Sequence, residues 1–420
     1  MEHAKKYIKG LFQSGKRNIE RMNEVVPETE YESMRHFISE SPWDHRPVLD
    51  KVAHDGSELF FNCGKVALLL DESGHLKKGK MSVGVSKQYS GQAGKVENCQ
   101  VAVYAGLSCH PFYALIDAEL YLPESWTKDE KRCQKAGVPA GRIKHKTKGE
   151  LAYEIVERQK SLGTRFDWVG GDGFYGHDYQ LGKKLDELGQ LFVFEAHSNQ
   201  MVYLSEPVIS LPGNGAPSKG RAPKRYKADV KPVEARSLVF GLEPTDWEPV
   251  LVRHGSKGGM RAEIYVRTVY VWDHKEEKAR QRQLVIRRTY SKSGAEEIKY
   301  ALSNAEQGQF TNLELAQMLS ERYFIERAFQ DAKQELGMSE YQVRGWLAWH
   351  HHIALVMMSM MFITREKVKF NVQKPLLSAY DVREVIIRTY ARKGTTIEEI
   401  NEQMKVRHRQ RAMDQLRNLT

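Results

Sequence analysis

Asp71 and Asp172 each follow a short apolar run, Val66-Ala67-Leu68-Leu69-Leu70 in one case and Trp168-Val169-Gly170-Gly171 in the other. They stand 101 positions apart, and Glu326 follows 154 positions later in a strongly helical stretch. Acidic groups at the carboxyl ends of strands commonly face one crevice of an α/β sheet. Three carboxylates drawn together would repel, and one would take up a proton unless cations neutralised them. Two Mg²⁺ ions answer that need, because hard cations prefer oxygen ligands. A metal pair activates one oxygen and stabilises the leaving one when a phosphodiester is cut.

The helical stretch with Glu326 also carries Arg322 and Lys333. At about 100° per residue the three fall within a sector of roughly 40°. An acid between two cations on one face suits a helix laid along a metal-bound phosphodiester. A solvated face with an Arg–Glu pair worth about 0.3–0.5 kcal/mol has the same pattern, so the spacing leaves both readings open. A lone Asp at a strand end is also an ordinary turn residue. Asp117 and Glu119, near the end of another strand, are rivals to Asp71 as ligands. The run His350-His351-His352 cannot easily share one ion, since adjacent helical residues point about 100° apart. Its neighbours Trp346, Trp349, Ile353 and Met357 favour packing instead.

The elements that must position these groups fall into five stretches. Residues 1–58 read as helical, with Tyr7, Ile8, Leu11 and Phe12 at helical spacing and Lys5, Lys6, Lys9, Lys16 and Arg17 on other faces. That segment is either a nucleic-acid-contacting unit or a packing arm. In residues 59–197, strands are expected at 66–70, 81–89, 101–104, 113–116, 168–169 and 191–195, with a turn at 73–74 and helices over 150–162 and 179–188. Three consecutive strands followed by alternating helices and strands predict an α/β layer with a mixed sheet. Residues 198–296 are first Pro- and Gly-rich and basic, then strand-like at 251–252, 264–272 and 284–286. They read as a β-rich insertion that does not continue the sheet. Residues 297–365 resume the core with a strand at 299–302, a long amphipathic helix over 312–336 and another over 343–364. Residues 366–420 form a basic helical tail that includes Lys405, Arg407, Arg409 and Arg411.

Lys and Arg outnumber Asp and Glu by 64 to 54, giving a net charge of +10. That excess suits a polyanionic partner through counterion release, although many proteins carry such a charge for no specific purpose. Cys63, Cys99, Cys109 and Cys133 have no CxxC spacing and read as reduced thiols of a cytoplasmic protein. The N-terminus has no apolar signal core. The apolar run 353–363 is shorter than the about 20 residues a membrane span needs, so no membrane is expected.

Several ordered motifs carry a family resemblance. Leu319, Arg322, Glu326 and Lys333 resemble the Tyr-x2-Arg-x3-Glu-x6-Lys signature of the IS4-like superfamily of bacterial insertion-sequence transposases, and the whole pattern is most similar to its IS701 group. Also similar are Asp71-Glu72-Ser73-Gly74 with Lys77-Lys78-Gly79-Lys80, Tyr89-Ser90-Gly91-Gln92, Gly170-Gly171-Asp172-Gly173-Phe174-Tyr175-Gly176 and Tyr341-Gln342-Val343-Arg344-Gly345-Trp346. The similarity runs from about residue 5 to 390. It departs at Leu319, where the signature has a tyrosine. Tyr323, four residues on, is the nearest substitute.

The resemblance implies an RNase H-like mixed-sheet core with a β-rich insertion, flanked by helical N- and C-terminal segments. It implies cut-and-paste transposition: metal-dependent cleavage of double-stranded DNA at transposon inverted repeats, then strand transfer into target DNA. Asp71, Asp172 and Glu326 would be catalytic and hold two Mg²⁺ or Mn²⁺ ions. Arg322, Lys333 and Tyr323 would contact DNA, as would Trp247 or Trp272 of the insertion, either of which also reads as insertion core; Lys257 reads as a backbone contact or as solvated loop charge. A homodimer in a synaptic complex, in the bacterial cytoplasm at the nucleoid, is the expected working form. The rival expectations are a transposase-derived, non-catalytic DNA-binding regulator and an RNase H-like nuclease without strand transfer.

Overall fold

The computed structural model describes residues 1–26, 29–91, 93–211, 225–255, 258–291 and 293–390, with short stretches at 396–398, 401–402, 404–405, 408–409 and 412–413. The chain opens with helices α1 (Glu2–Gln13), α2 (Ile19–Val25), α3 (Tyr31–Ser39) and α4 (Arg46–Leu59). Next come β1 (Ala67–Leu76), β2 (Ser86–Ser90), β3 (Lys95–Cys109) and β4 (Phe112–Leu120), and the short helices α5 (Glu124–Thr127) and α6 (Glu130–Lys135). Helix α7 (Lys148–Ser161) leads to β5 (Trp168–Gly171), and α8 (Gly173–His177) and α9 (Tyr179–Glu187) lead to β6 (Phe192–Ala196).

The arrangement of these strands defines the fold. β1 pairs antiparallel with β3, and β3 antiparallel with β4, while β1, β5 and β6 run parallel. The core order is therefore β4-β3-β1-β5-β6, with α7 crossing from β4 to β5 and α8–α9 from β5 to β6. This is an RNase H-like mixed sheet. Leu68, Leu69 and Leu70 of β1 are wholly buried, and each such side chain contributes roughly 1.5–3 kcal/mol. A capping box, Thr147 with Glu150, starts α7 and fixes where it meets the sheet.

Two sequence expectations change here. Ser73-Gly74 is not a turn, because β1 continues to Leu76 along β3. Alternation over 81–89 matches a strand only at its end, in β2, where Ser86–Ser90 pairs with β3.

After the short strands β7 (Met201–Val202), β8 (Ile209–Ser210), β9 (Lys227–Ala228) and β10 (Val233–Glu234) come four long ones. These are β11 (Glu248–Gly255), β12 (Gly258–Val271), β13 (Arg280–Tyr290) and β14 (Glu296–Ser303). They form an antiparallel meander, and β14 pairs with β6. The β-rich region thus extends the core sheet, making ten strands among the described residues, instead of standing apart from it. The reason is non-local: the outer edge of β6 would be an open row of backbone donors and acceptors, and β14 covers it.

The remaining helices are α10 (Asn312–Glu321), α11 (Tyr323–Leu336), α12 (Trp346–Lys369) and α13 (Ala379–Tyr390). The expected single helix over 312–336 is thus interrupted at Arg322. Helix α11 ends on Gly337, whose left-handed φ of 64° suits a residue without a side chain. Helix α12 has 24 residues, enough in length and apolarity to cross a membrane, but 83% of its apolar window is buried inside the protein. Its His350, His351 and His352 are buried and hydrogen-bonded, His352 to the Tyr7 hydroxyl at 2.8 Å, and His351 stacks on Trp43. Tyr7, Leu11 and Phe12 of α1 are buried in the same core, while Lys5 and Lys9 on its other face are exposed. Lys405 and Arg409 of the basic tail are exposed; Arg407 and Arg411 lie outside the described residues.

Candidate active site

Strand register brings the two aspartates together. β1 and β5 pair from Ala67↔Trp168 to Leu70↔Gly171, a constant offset of 101 positions, and Asp71 and Asp172 are the next pair beyond. β5 and β6 pair up to Gly171↔Phe194, and the next residue of β6 is Glu195. Three parallel strands therefore carry an acid at the same level. Asp172 also caps α8, accepting the Phe174 N–H at 3.0 Å, and Asp71 accepts the Glu72 N–H at 2.7 Å. Helix α8 reaches β6 only because residue 176 is glycine, since a Cβ there would stand 1.9 Å from the Glu195 carbonyl oxygen.

A fourth acid joins them. Ligand-capable oxygens of Asp71, Glu72 and Asp172 all lie within 4.8 Å of one another. Burial, helped by the charges of Asp172 and Glu72, pushes the Asp71 carboxyl up to about 8, with Arg322 pulling the other way. Burial likewise raises Glu72, against the pull of Lys148, whose Nζ is 3.5 Å away. A crowded, partly desolvated set of hard oxygen donors is short of positive charge. These residues fit a divalent cation.

Glu326 is attached to this cluster through Arg322. Arg322 stands at the break between α10 and α11, with Nη2 2.6 Å from Glu326 Oε1, Nε 3.0 Å from Glu195 Oε1 and Nη1 3.8 Å from Asp71 Oδ2. Burial opposes its charge, but Glu195, Glu326 and Asp71 together hold its value above the ordinary one. The Glu326 side chain remains 49% exposed. The structure thus brings Asp71 and Asp172 together directly and ties Glu326 to them through a guanidinium.

Residues 2–259 match the family described as DDE superfamily endonuclease. The chain belongs to that family. The matched stretch contains Asp71 and Asp172, and Glu326 lies beyond it. Over 195 residues the chain is 29% identical to the "Probable transposase for insertion sequence element IS701" of Microchaete diplosiphon. That stretch is 44% of this chain and spans about half, 46%, of the relative's length. Among solved structures, the piggyBac transposase synaptic complex with hairpin DNA, determined by cryo-EM, is similar at 11% identity and a TM-score of 0.34, covering 95% of this chain and 79% of that one.

In this DDE superfamily endonuclease the rival carboxylates face elsewhere. Asp71 pairs with Tyr104, and Tyr104 with Ala118, so these three side chains share one face of the sheet. Asp117 and Glu119, on either side of Ala118, point to the other face. There Asp117 is wholly buried between Arg46 and Arg158, each at 2.9 Å, and Glu119 pairs with Arg158 at 2.8 Å. Their charges are already matched by arginines.

The other sequence candidates are dispersed. Lys333 is half-buried in the last turn of α11; burial pushes its amine down and the charge of Asp71 opposes this. Leu319 is buried in the core, while Tyr323 is exposed with the Arg253 guanidinium 4.5 Å from its ring centroid. Trp247 belongs to the small apolar core of the added β layer, with Arg288 against its ring at 4.1 Å. It is 6% exposed, as its insertion-core reading expects. Trp272 is also largely buried and donates to the Glu276 carbonyl, but it borders a cavity of about 650 Å³ beside His197 and Arg282. Lys257 lies outside the described residues.

Sequence reasoning missed Glu72, Glu195 and Tyr175 as parts of the site. Glu195 had a usable signal, since the run Leu191-Phe192-Val193-Phe194 ends in an acid just as 66–70 and 168–171 do.

Proposed function

We propose that this DDE superfamily endonuclease is a cut-and-paste transposase. It cuts double-stranded DNA at transposon inverted repeats and transfers the freed 3′ ends to target DNA. Two divalent ions, Mg²⁺ or Mn²⁺, are held by Asp71 and Asp172, with Glu326 completing the set when DNA is bound. The observation that carries this reading is the placement of Asp71 beside Asp172 at the ends of adjacent parallel strands, with the Asp71 carboxyl raised by burial and crowding.

When bound, the ions supply Lewis-acid polarisation of the scissile phosphate and of the attacking oxygen. The chain's own residues do the rest. Arg322 and Lys333, on the α11 side of the acids, bind backbone phosphate, and Arg322 releases Glu326 as it does so. Tyr323, exposed beside Arg253, extends that contact. Trp272, at the cavity edge, is the tryptophan better placed to meet a base. The protein works as a homodimer that holds both transposon ends, on DNA of a bacterial nucleoid.

The test is incubation with labelled inverted-repeat ends, Mg²⁺ and a target plasmid. Joined end–plasmid products support the reading. Binding without cuts points to a regulator, and cuts without joined products point to a nuclease.

A further inference from the structure

The side chain at the centre of this site that the three-acid scheme leaves without a role is Glu72. Its Oε1 is buried and has no hydrogen-bond partner, and Lys148 Nζ stands 3.5 Å from it. Lys148 is itself shared with aromatic faces, 5.3 Å from the Phe174 ring centroid and 6.0 Å from that of Tyr121. The Tyr175 hydroxyl, which faces Glu72, is a second buried polar group aimed into the same point. Tyr175 is wholly buried, its hydroxyl makes no well-formed hydrogen bond, and its nearest acceptor is Glu72, with the charges of Asp71 and Asp172 also bearing on it. An orphaned buried hydroxyl costs roughly 1–3 kcal/mol unless something else accepts its proton. The hydroxyl can donate to Glu72 and accept from an ion-bound water among the three carboxylates.

Glu326, by contrast, is engaged by Arg322 at 2.6 Å and lies outside the 4.8 Å group. Asp71 and Glu72 are consecutive in β1 and leave the strand on opposite faces, yet their oxygens converge with Asp172. The parallel pairing of β1 with β5 ends at Leu70↔Gly171, so β5 does not continue beside Glu72 on the side where Asp172 lies.

We propose that Glu72 is a further metal ligand, and that the first divalent ion binds to Asp71, Glu72 and Asp172 before Glu326 takes part. This rests on the reading of the site as a two-ion centre. Lys148 is the internal competitor, neutralising Glu72 until the ion displaces it. Glu326 joins only when DNA phosphate draws Arg322 away.

Mn²⁺ binding to the full-length protein without DNA tests this, followed by electron paramagnetic resonance of free Mn²⁺ and by calorimetry. The Glu72→Gln variant is expected to weaken the tightest site by at least about tenfold, as Asp172→Asn does. Glu326→Gln is expected to stay within about threefold of wild type. Lys148→Met should tighten binding, and that gain should vanish in the Glu72→Gln, Lys148→Met double variant, a readout that does not depend on one variant folding perfectly. Wild-type affinity in Glu72→Gln, or an equal gain from Lys148→Met with and without Glu72, overturns the role of Glu72 alone. Wild-type affinity in Asp172→Asn, or no Mn²⁺ binding by the native protein, overturns the metal-centre reading as well.

Discussion

Arg322 and Glu326 are joined at 2.6 Å across one turn at the α10–α11 break, and the same guanidinium reaches Asp71 at 3.8 Å. One cation thus links the carboxylate of the helix to a carboxylate of the sheet. Removing it leaves Glu195 and Asp71, both largely buried, without that counter-charge, and losing one partner of a buried pair typically costs about 3–5 kcal/mol, while the half-exposed Glu326 adds little. Arg322→Gln is therefore expected to unfold at clearly lower denaturant concentration than wild type, and added Mg²⁺ should recover much of the loss. Unchanged unfolding would show that the bridge has no structural weight.

The raised Asp71 carboxyl makes stability depend on pH in a defined direction. The folded protein keeps a proton at this position that the unfolded chain loses near its ordinary value of about 4. Between there and about 8 the folded state binds more protons, so stability falls as pH rises through that window and levels off above it. Mg²⁺ or Mn²⁺ must displace the same proton, so affinity should rise with pH up to about 8. Urea unfolding across pH 5–9 should show a slope that Asp71→Asn reduces; an identical slope in the variant would mean that another group titrates.

Gly176 sets how closely α8 approaches β6. A methyl group there would meet the Glu195 carbonyl oxygen at 1.9 Å, and backbone must move to admit it. Gly176→Ala should destabilise by about 1–3 kcal/mol, as overpacking does. It should also reduce DNA cleavage, because α8 begins at Asp172. Thermal unfolding and a cleavage assay check the pair of effects; a stable, fully active variant would mean that α8 can shift without disturbing Asp172.

Leu319 occupies the position of the signature tyrosine, and its side chain is buried among core residues. Restoring the tyrosine would force a hydroxyl and extra volume into packed space. Leu319→Tyr is expected to lose about 1–3 kcal/mol of stability and to gain no affinity for inverted-repeat DNA. Tighter end binding at unchanged stability would show that this position faces DNA after all.

Much of the sheet and part of the site could be read from local pattern. Asp71 and Asp172 stand out because each follows an apolar run, and the constant 101-position register explains why that pattern put them side by side. Glu195 follows the same rule on the third parallel strand but was not singled out. What local pattern could not supply was pairing. Whether β14 lies against β6, or the strands from 248 to 303 stand alone, depends on a contact about a hundred residues apart in sequence. The face on which Asp117 and Glu119 lie also depends on their cross-strand partners. The burial of Trp247 is likewise settled by tertiary packing against Arg288 and not by its neighbours in sequence.

The most direct test of the two-aspartate centre is cleavage of labelled inverted-repeat DNA by Asp172→Asn, measured with binding of the same DNA. The amide keeps the shape of the side chain and its α8 cap acceptor but removes the charge that holds a cation. Cleavage should fall by at least about 100-fold while DNA affinity stays within a few fold. A variant that still cuts at near wild-type rate would contradict the assignment of the active centre to Asp71 and Asp172.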